Sequence, residues 1–310
     1  MRGLLAALGR QARWALPAGV LVGIVLPGLA AQARGLLTAA VIGTLTAALL
    51  RLDWDALAAT LRRPARPAAV VAWLLLGSPA VVWGLTGLLG LDDTLRRVLL
   101  LQAAAPPIGS AAVFALILGV DGLLAMVGAV AATLLLPLTL TPLVAVLLSA
   151  TGVQVDLGAF ALRVATVVAA PFAIAAVLRA VVGRERLVRH DDLLGGLNVV
   201  LLVVFAVAVM DGVTATLLAD PPRILRLLAA ACVAAAALHA AGWLLLARAG
   251  PSAAWASALL SGNRNMGLML AVTAGTAGPE FSLYVGIAQL PMYFAPLVLG
   301  PLVRRSRASK

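Results

Sequence analysis

Long apolar runs separated by short polar links recur along the whole chain. The runs lie near 14–32, 35–50, 67–90, 96–118, 122–150, 157–181, 193–213, 222–247, 252–276 and 281–303. A helix needs about 20 mostly apolar residues to cross a bilayer. The pattern therefore predicts ten transmembrane helices. The short strict alternation of a membrane barrel is missing, so a β-barrel is excluded. Two of the ten runs are interrupted. The fourth contains Ala105-Pro106-Pro107-Ile108-Gly109-Ser110, and the ninth contains Ser261-Gly262-Asn263-Arg264-Asn265-Met266-Gly267.

The second half echoes the first. Pro137-Leu138-Thr139-Leu140-Thr141-Pro142-Leu143-Val144 recurs 159 residues later as Pro296-Leu297-Val298-Leu299-Gly300-Pro301-Leu302-Val303. Asp121 and Glu280, each at a helix start, keep the same spacing, and the two interruptions nearly so. A unit of five helices is odd-numbered, so its second copy enters the membrane from the other side. This predicts an all-α membrane protein of two inverted five-helix repeats, residues 1–152 and 153–310. That plan is common among secondary transporters.

Composition narrows the class. Of 310 residues, 63% are hydrophobic and 11% charged, against about 45–50% and about 25% in soluble domains. Disorder is excluded. Cys232 is the one cysteine, which excludes a disulfide scaffold. With His190 and His239 as the only histidines, no zinc cluster is expected, and neither metal nor cofactor is assigned. An intramembrane enzyme needs a nucleophile beside a base, or metal ligands at helix depth, and neither is found, so no catalytic residue is assigned.

The net charge of +11 first suggests nucleic acid, but its placement points to topology. Sixteen basic residues fall on one side. They include Arg2, Arg10, Arg13, Arg51, Arg62, Arg63, Arg66, Arg184, Arg186, Arg189 and Lys310. Six fall on the other: Arg34, Arg96, Arg97, Arg163, Arg223 and Arg226. The positive-inside rule then places both termini in the cytoplasm, and no nucleic-acid partner is expected. Ala31-Gln32-Ala33 after the basic N-terminus mimics a signal-peptide cleavage site. An uncleaved first helix is preferred, because losing it would spoil the repeat.

The remaining basic residue, Arg264, lies inside the ninth run. Irregular backbone at membrane depth survives only when buried in protein or lining a wet cavity. Matching interruptions in both halves mark a transporter's binding site. Arg264 has two readings. It binds substrate or takes part in coupling, or it ties down carbonyls freed by the break. Asn263 and Asn265 either bind substrate or cap a helix. Ser110, Gln102, Gln289 and Thr133 are further substrate candidates, although Thr commonly bonds its own helix. Pro106, Pro107, Gly109, Gly262 and Gly267 are read as structural residues of the breaks. His239 is read as a packed histidine.

These residues carry a resemblance. The stretch Pro106-Pro107-Ile108-Gly109-Ser110-Ala111-Ala112-Val113, then Asp121, Thr133-Leu134, Pro137 and Pro142, resembles the bile acid:sodium symporter family. So does Leu260 to Leu268, in helix nine of ten. The resemblance implies a panel domain (helices 1, 2, 6, 7) and a core domain (helices 3–5, 8–10). It also implies that the broken helices 4 and 9 cross at the site, and that the cargo is an organic anion such as a bile acid, pantoate or a keto acid, usually carried with sodium.

The departures concern sodium. The positions that the resemblance assigns to sodium ligands are Ala111, Ala112, Ala125, Ala129, Leu260 and Arg264. The expectation is a secondary transporter of a small organic carboxylate in a bacterial inner membrane, working by alternating access. Arg264 would supply the positive charge that sodium supplies elsewhere. A sodium-coupled symporter and an anion-binding membrane receptor remain as alternatives.

Overall fold

The computed structural model describes residues 12–55, 64–149, 156–273 and 276–308. Its elements are α1 (Ala12–Val25), α2 (Pro27–Leu50), α3 (Ala65–Leu88), α4 (Asp93–Ala104), α5 (Ser110–Ile117), α6 (Gly122–Ser149) and α7 (Leu157–Val182). Then follow α8 (Arg184–Arg189), α9 (Asp191–Ala208), α10 (Val213–Ala219), α11 (Pro221–Leu245), α12 (Pro251–Gly262), α13 (Met266–Val272) and α14 (Pro279–Ala308). Among the described residues there is no strand beyond one isolated bridge. Among the described residues seven helical stretches are long and apolar enough to span a bilayer, and the chain is a multi-pass membrane protein. The predicted boundary at 152/153 and the basic residues Arg2, Arg10, Arg62, Arg63 and Lys310 lie outside the described residues.

Helix starts follow local chemistry. Asp92, Asp121, Asp156 and Asp220 each accept a hydrogen bond from a backbone N–H in the first turn of α4, α6, α7 and α11. One boundary differs from the sequence reading. The turn between the first two helices falls at Leu26, not at 33–35. Pro27 opens α2, since its fixed φ and missing N–H suit a first helical position. Helix direction bears this out. Gly19 faces Val203 and Ala206, and Gly23 faces Met210, so α1 runs with α9. Gly43 faces Leu201, and Gly195 faces Arg51, so α2 runs against it.

The helices pack side by side, with α6 also lying against α7. Helix α9 packs on α1 and α2, and α7 packs on α2. Arg179 of α7 donates to the carbonyls of Leu49, Leu50 and Leu52, closing the C-terminal end of α2. Elsewhere α11 lies along α12, α3 along α4, and α6 against α5, α12 and α3. Small residues set the closest approaches there, as expected without a hydrophobic drive between helices in lipid. A Cβ on Gly242 of α11 would lie 2.2 Å from Ser261 Oγ of α12.

The ion pairs respect the two sides read from the charge pattern. Arg34–Asp211, Arg223–Glu280 and Arg226–Asp92 join residues of the poorer side. Arg51–Asp191 and Arg184–Asp55 join residues of the richer side.

Candidate functional site

The two interruptions meet. Chain 105–109 and chain 263–265 form a short antiparallel bridge centred on Pro107 and Arg264. Ile108 N–H donates to Asn263 O at 2.9 Å, and Asn265 N–H donates to Pro106 O at 2.7 Å. Each break thus satisfies part of the backbone that the other leaves open, which is how irregular chain survives at this depth.

The side chain of Arg264 is 1% exposed. Its Nε donates to Ser261 O at 2.6 Å. Its Nη1 donates to Ala105 O at 2.8 Å and Leu74 O at 3.1 Å, and its Nη2 to Ser78 Oγ at 2.8 Å. Every partner is an uncharged oxygen. Of the five N–H groups of a guanidinium, one on Nη2 is left over. Ala105 caps the end of α4, and Ser261 lies in the last turn of α12. Two helix C-termini, each with a partial negative charge, therefore converge on the cation.

Leu74 explains why a third helix takes part. Residues Trp73–Gly77 form a π turn in α3, in which Ser78 N–H donates to Trp73 O. The next donor in line is missing, because position 79 is proline. Leu74 O is left for side chains and takes both Ser78 Oγ and Arg264 Nη1. Pro79 inside an apolar run was the sequence signal for this, and it was missed. Leu74, Ser78 and Trp73, whose Nε1 donates to Ser261 Oγ at 3.0 Å, are the site residues that sequence reasoning did not name.

The other candidates separate. Asn265 caps α13, its Oδ1 accepting from Leu268 N–H at 2.9 Å. Asn263 is fully buried and donates from Nδ2 to Leu259 O at 2.9 Å and to His239 Nε2 at 3.2 Å. Pro106 and Pro107 are buried at the bridge, while Ile108, Gly109 and Ser110 are partly exposed. Gly262 and Gly267 allow close approach. A Cβ on Gly262 would sit 1.8 Å from His239 Nδ1, and one on Gly267 would sit 2.7 Å from the ring of Phe205. A Cβ on Gly109 would meet Ala48 at an ordinary 3.5 Å.

Three candidates bond elsewhere. Gln102 accepts from the hydroxyl of Tyr284 on α14. Gln289 donates to Val285 O of its own helix. Thr133 donates to Ala129 O of its own helix at 2.8 Å. A cleft of about 310 Å³ lies among Thr94, Arg97, Val98, Thr276 and Glu280, and no residue of the crossing lines it.

Ala111, Ala125, Ala129 and Leu260 are buried in one continuous hydrophobic cluster, with Ala112 packed against it. Leu260 fills the space over Gly128, where a Cβ would lie 2.7 Å from its Cδ1. Comparison with known families decides the class, because the model of the sodium bile acid symporter family matches residues 38–218, from α2 through the first break into α10. The chain belongs to the sodium bile acid symporter family. Members of this family are membrane transporters, not enzymes. No curated protein matches the chain.

Proposed function

We propose that the protein is a secondary transporter of a small organic carboxylate that works by alternating access without sodium. The observation that carries this reading is the place of Arg264. Its guanidinium fills a cage of four oxygens, from Ser261, Ala105, Leu74 and Ser78. Such a ring of carbonyl and hydroxyl oxygens suits a cation, and here the cation is covalently attached. The positions that the family resemblance assigns to sodium ligands are apolar around it, so a second cation meets repulsion and few oxygens. An organic anion meets a fixed positive charge in a low dielectric. Three of the side chain's donors are held by backbone carbonyls, so Arg264 acts through its field and its one spare N–H rather than as a two-pronged clamp. Asn263, Asn265 and Ser110 complete the polar lining, with Gln102, Gln289 and Thr133 as supporting positions.

Several features favour two inverted halves, 1–152 and 153–310. The bridge is symmetric about Pro107 and Arg264, which are 157 residues apart, against 159 for the repeated Pro-Leu run. The panel is α1, α2, α7 and α9, and the core is α3–α6 and α11–α14, meeting it along α6 and α7 and where Gly267 touches Phe205 and Val41. The placement of sixteen basic residues on one side supports a cytoplasmic face with both termini there, in a bacterial inner membrane.

The test is uptake of cholate, pantoate and pyruvate into proteoliposomes at clamped membrane potential. Uptake of the carried probe is expected to be the same in sodium and in choline, and to fall at least about tenfold in Arg264→Ala, as loss of a buried charged contact implies. A strong rise with sodium overturns the reading. Binding without flux makes the protein a receptor.

A further inference from the structure

We infer that His239 and Asn263 form a proton-operated hydrogen-bond switch, which ties anion binding at the crossing to the uptake of one proton. The inference rests on the reading of the crossing as the anion site. Geometry sets the resting state. His239 on α11 is 8% exposed, and its Nδ1 lies 2.7 Å from Ala235 O. A carbonyl only accepts, so Nδ1 carries the hydrogen and Nε2 of the neutral ring is an acceptor. Nε2 faces Asn263 Nδ2 at 3.2 Å, and the second amide hydrogen goes to Leu259 O. Both donors of the amide are thus committed. Its Oδ1, in a residue with no exposed surface, has no hydrogen-bond partner among the described residues. A buried acceptor left open in this way is costly and marks a place where something else binds.

A proton on Nε2 reverses this polarity. Nε2–H now donates and cannot face an NH₂ group. The amide turns over, Oδ1 accepts from Nε2–H, and the NH₂ group moves to the position that Oδ1 held. Leu259 O keeps a donor, because the backbone N–H of Asn263 already reaches it at 3.1 Å. Turning the amide also brings Oδ1 towards Leu259 O, a repulsion that the charge-assisted bond to Nε2–H offsets. The open acceptor becomes a pair of donors, which suits a carboxylate. The proton enters Nε2 from one side of the membrane and leaves Nε2 when the anion is released.

The surrounding charges make the two events depend on each other. Helix α12 carries no ionisable side chain, and Arg264, just beyond it, is the charge whose field reaches His239. Helix α14 offers Tyr284 and Tyr293, with Glu280 held by Arg223 at its start and Arg304, Arg305 and Arg307 at its far end. Helix α4 has Asp93, Arg96 and Arg97 at its far end, and α10 has no charged residue. Arg248 lies beyond the end of α11, and α11 itself adds Cys232, Arg223 and Arg226. No carboxylate stands close to balance a second cation beside Arg264. An arriving anion does, so proton and anion bind together.

The experiment uses the full chain in proteoliposomes, with potential clamped, a trapped pH dye, and pyruvate, pantoate and cholate as probes. With one proton per anion, an inside-alkaline step of one unit is worth at most about tenfold. The carried probe is expected to enter several-fold faster, with matching proton entry. His239→Gln is expected to abolish the acceleration and the proton signal. Undiminished acceleration in His239→Gln overturns the switch. A wild-type protein that carries a probe without proton entry overturns the switch alone, and one that carries no probe removes the transport reading beneath it as well. A ligand-free check is nitrogen-15 histidine NMR in nanodiscs, with His239 assigned from the variant. The expected tautomer has hydrogen on Nδ1 and a bonded, bare Nε2. Hydrogen on Nε2 overturns the switch directly.

Discussion

The two breaks solve one problem by opposite means. In the first, Pro106 and Pro107 remove two N–H donors, so the backbone there has carbonyls to spare. In the second, Arg264 adds side-chain donors to the backbone, one of them reaching Ala105 O of the first. One break is rich in acceptors and the other in donors, and they bond to each other. They differ in exposure too. Ile108, Gly109 and Ser110 are partly open, whereas Asn263, Arg264 and Asn265 are buried. A proline break is cheap to make and needs a partner. An arginine break is costly to bury and supplies one. Neither is stable at membrane depth alone, so the crossing holds only as a pair.

The strongest way to break this complementarity is to delete its main donor. Arg264→Leu leaves Ala105 O and Ser261 O without their side-chain donor, while Leu74 O and Ser78 Oγ keep their bond to each other. Each group costs about 1–3 kcal/mol when unpaired, and relief from burying a charge returns part of that. A net loss of about 2 kcal/mol is expected in unfolding followed in nanodiscs. Unchanged stability would mean that Arg264 does not join the breaks.

A smaller effect is expected from Gly262→Ala, which forces a methyl group into the His239 ring. Overpacking of this kind costs about 1–3 kcal/mol. His239→Ala in the same chain should recover most of it, and a double-mutant cycle measures the coupling. Additive losses would place the strain elsewhere.

Pro79→Ala sharpens the comparison rather than breaking it. The restored N–H competes for the carbonyls of α3, so stability should change by no more than about 1 kcal/mol. The cost of Arg264→Leu should stay the same in this background, since Leu74 O already accepts from Ser78 Oγ. The smallest effect belongs to the open break. Ser110 makes no side-chain hydrogen bond within the described residues, so Ser110→Ala should alter stability by less than about 0.5 kcal/mol. Any loss is expected in the KM for the carried anion, and a large stability loss would make Ser110 structural.

Much of the fold was legible in the sequence because hydropathy acts locally. The run at 157–181 became Leu157–Val182, and the break at Pro106-Pro107 lies where two missing N–H groups put it. The first turn was misplaced, because Leu26-Pro27 lies inside one apolar run and hydropathy does not respond to a change of direction. The site was less legible. Arg264 stood out as a charge in an apolar segment, but its partners Leu74 and Ser78 lie 190 and 186 residues earlier. His239 read as a packed histidine, and its bond to Asn263 depends on α11 lying against α12.

Length and placement of apolar residues, the position of each proline, and a cation inside an apolar run are properties of the chain itself, and they determined the class, the apolar helices and the breaks. Which carbonyl each guanidinium nitrogen meets, and which way the amide of Asn263 faces, were decided only when distant helices packed. A freed backbone group demands a partner from wherever the fold brings one, and sequence separation says nothing about that distance.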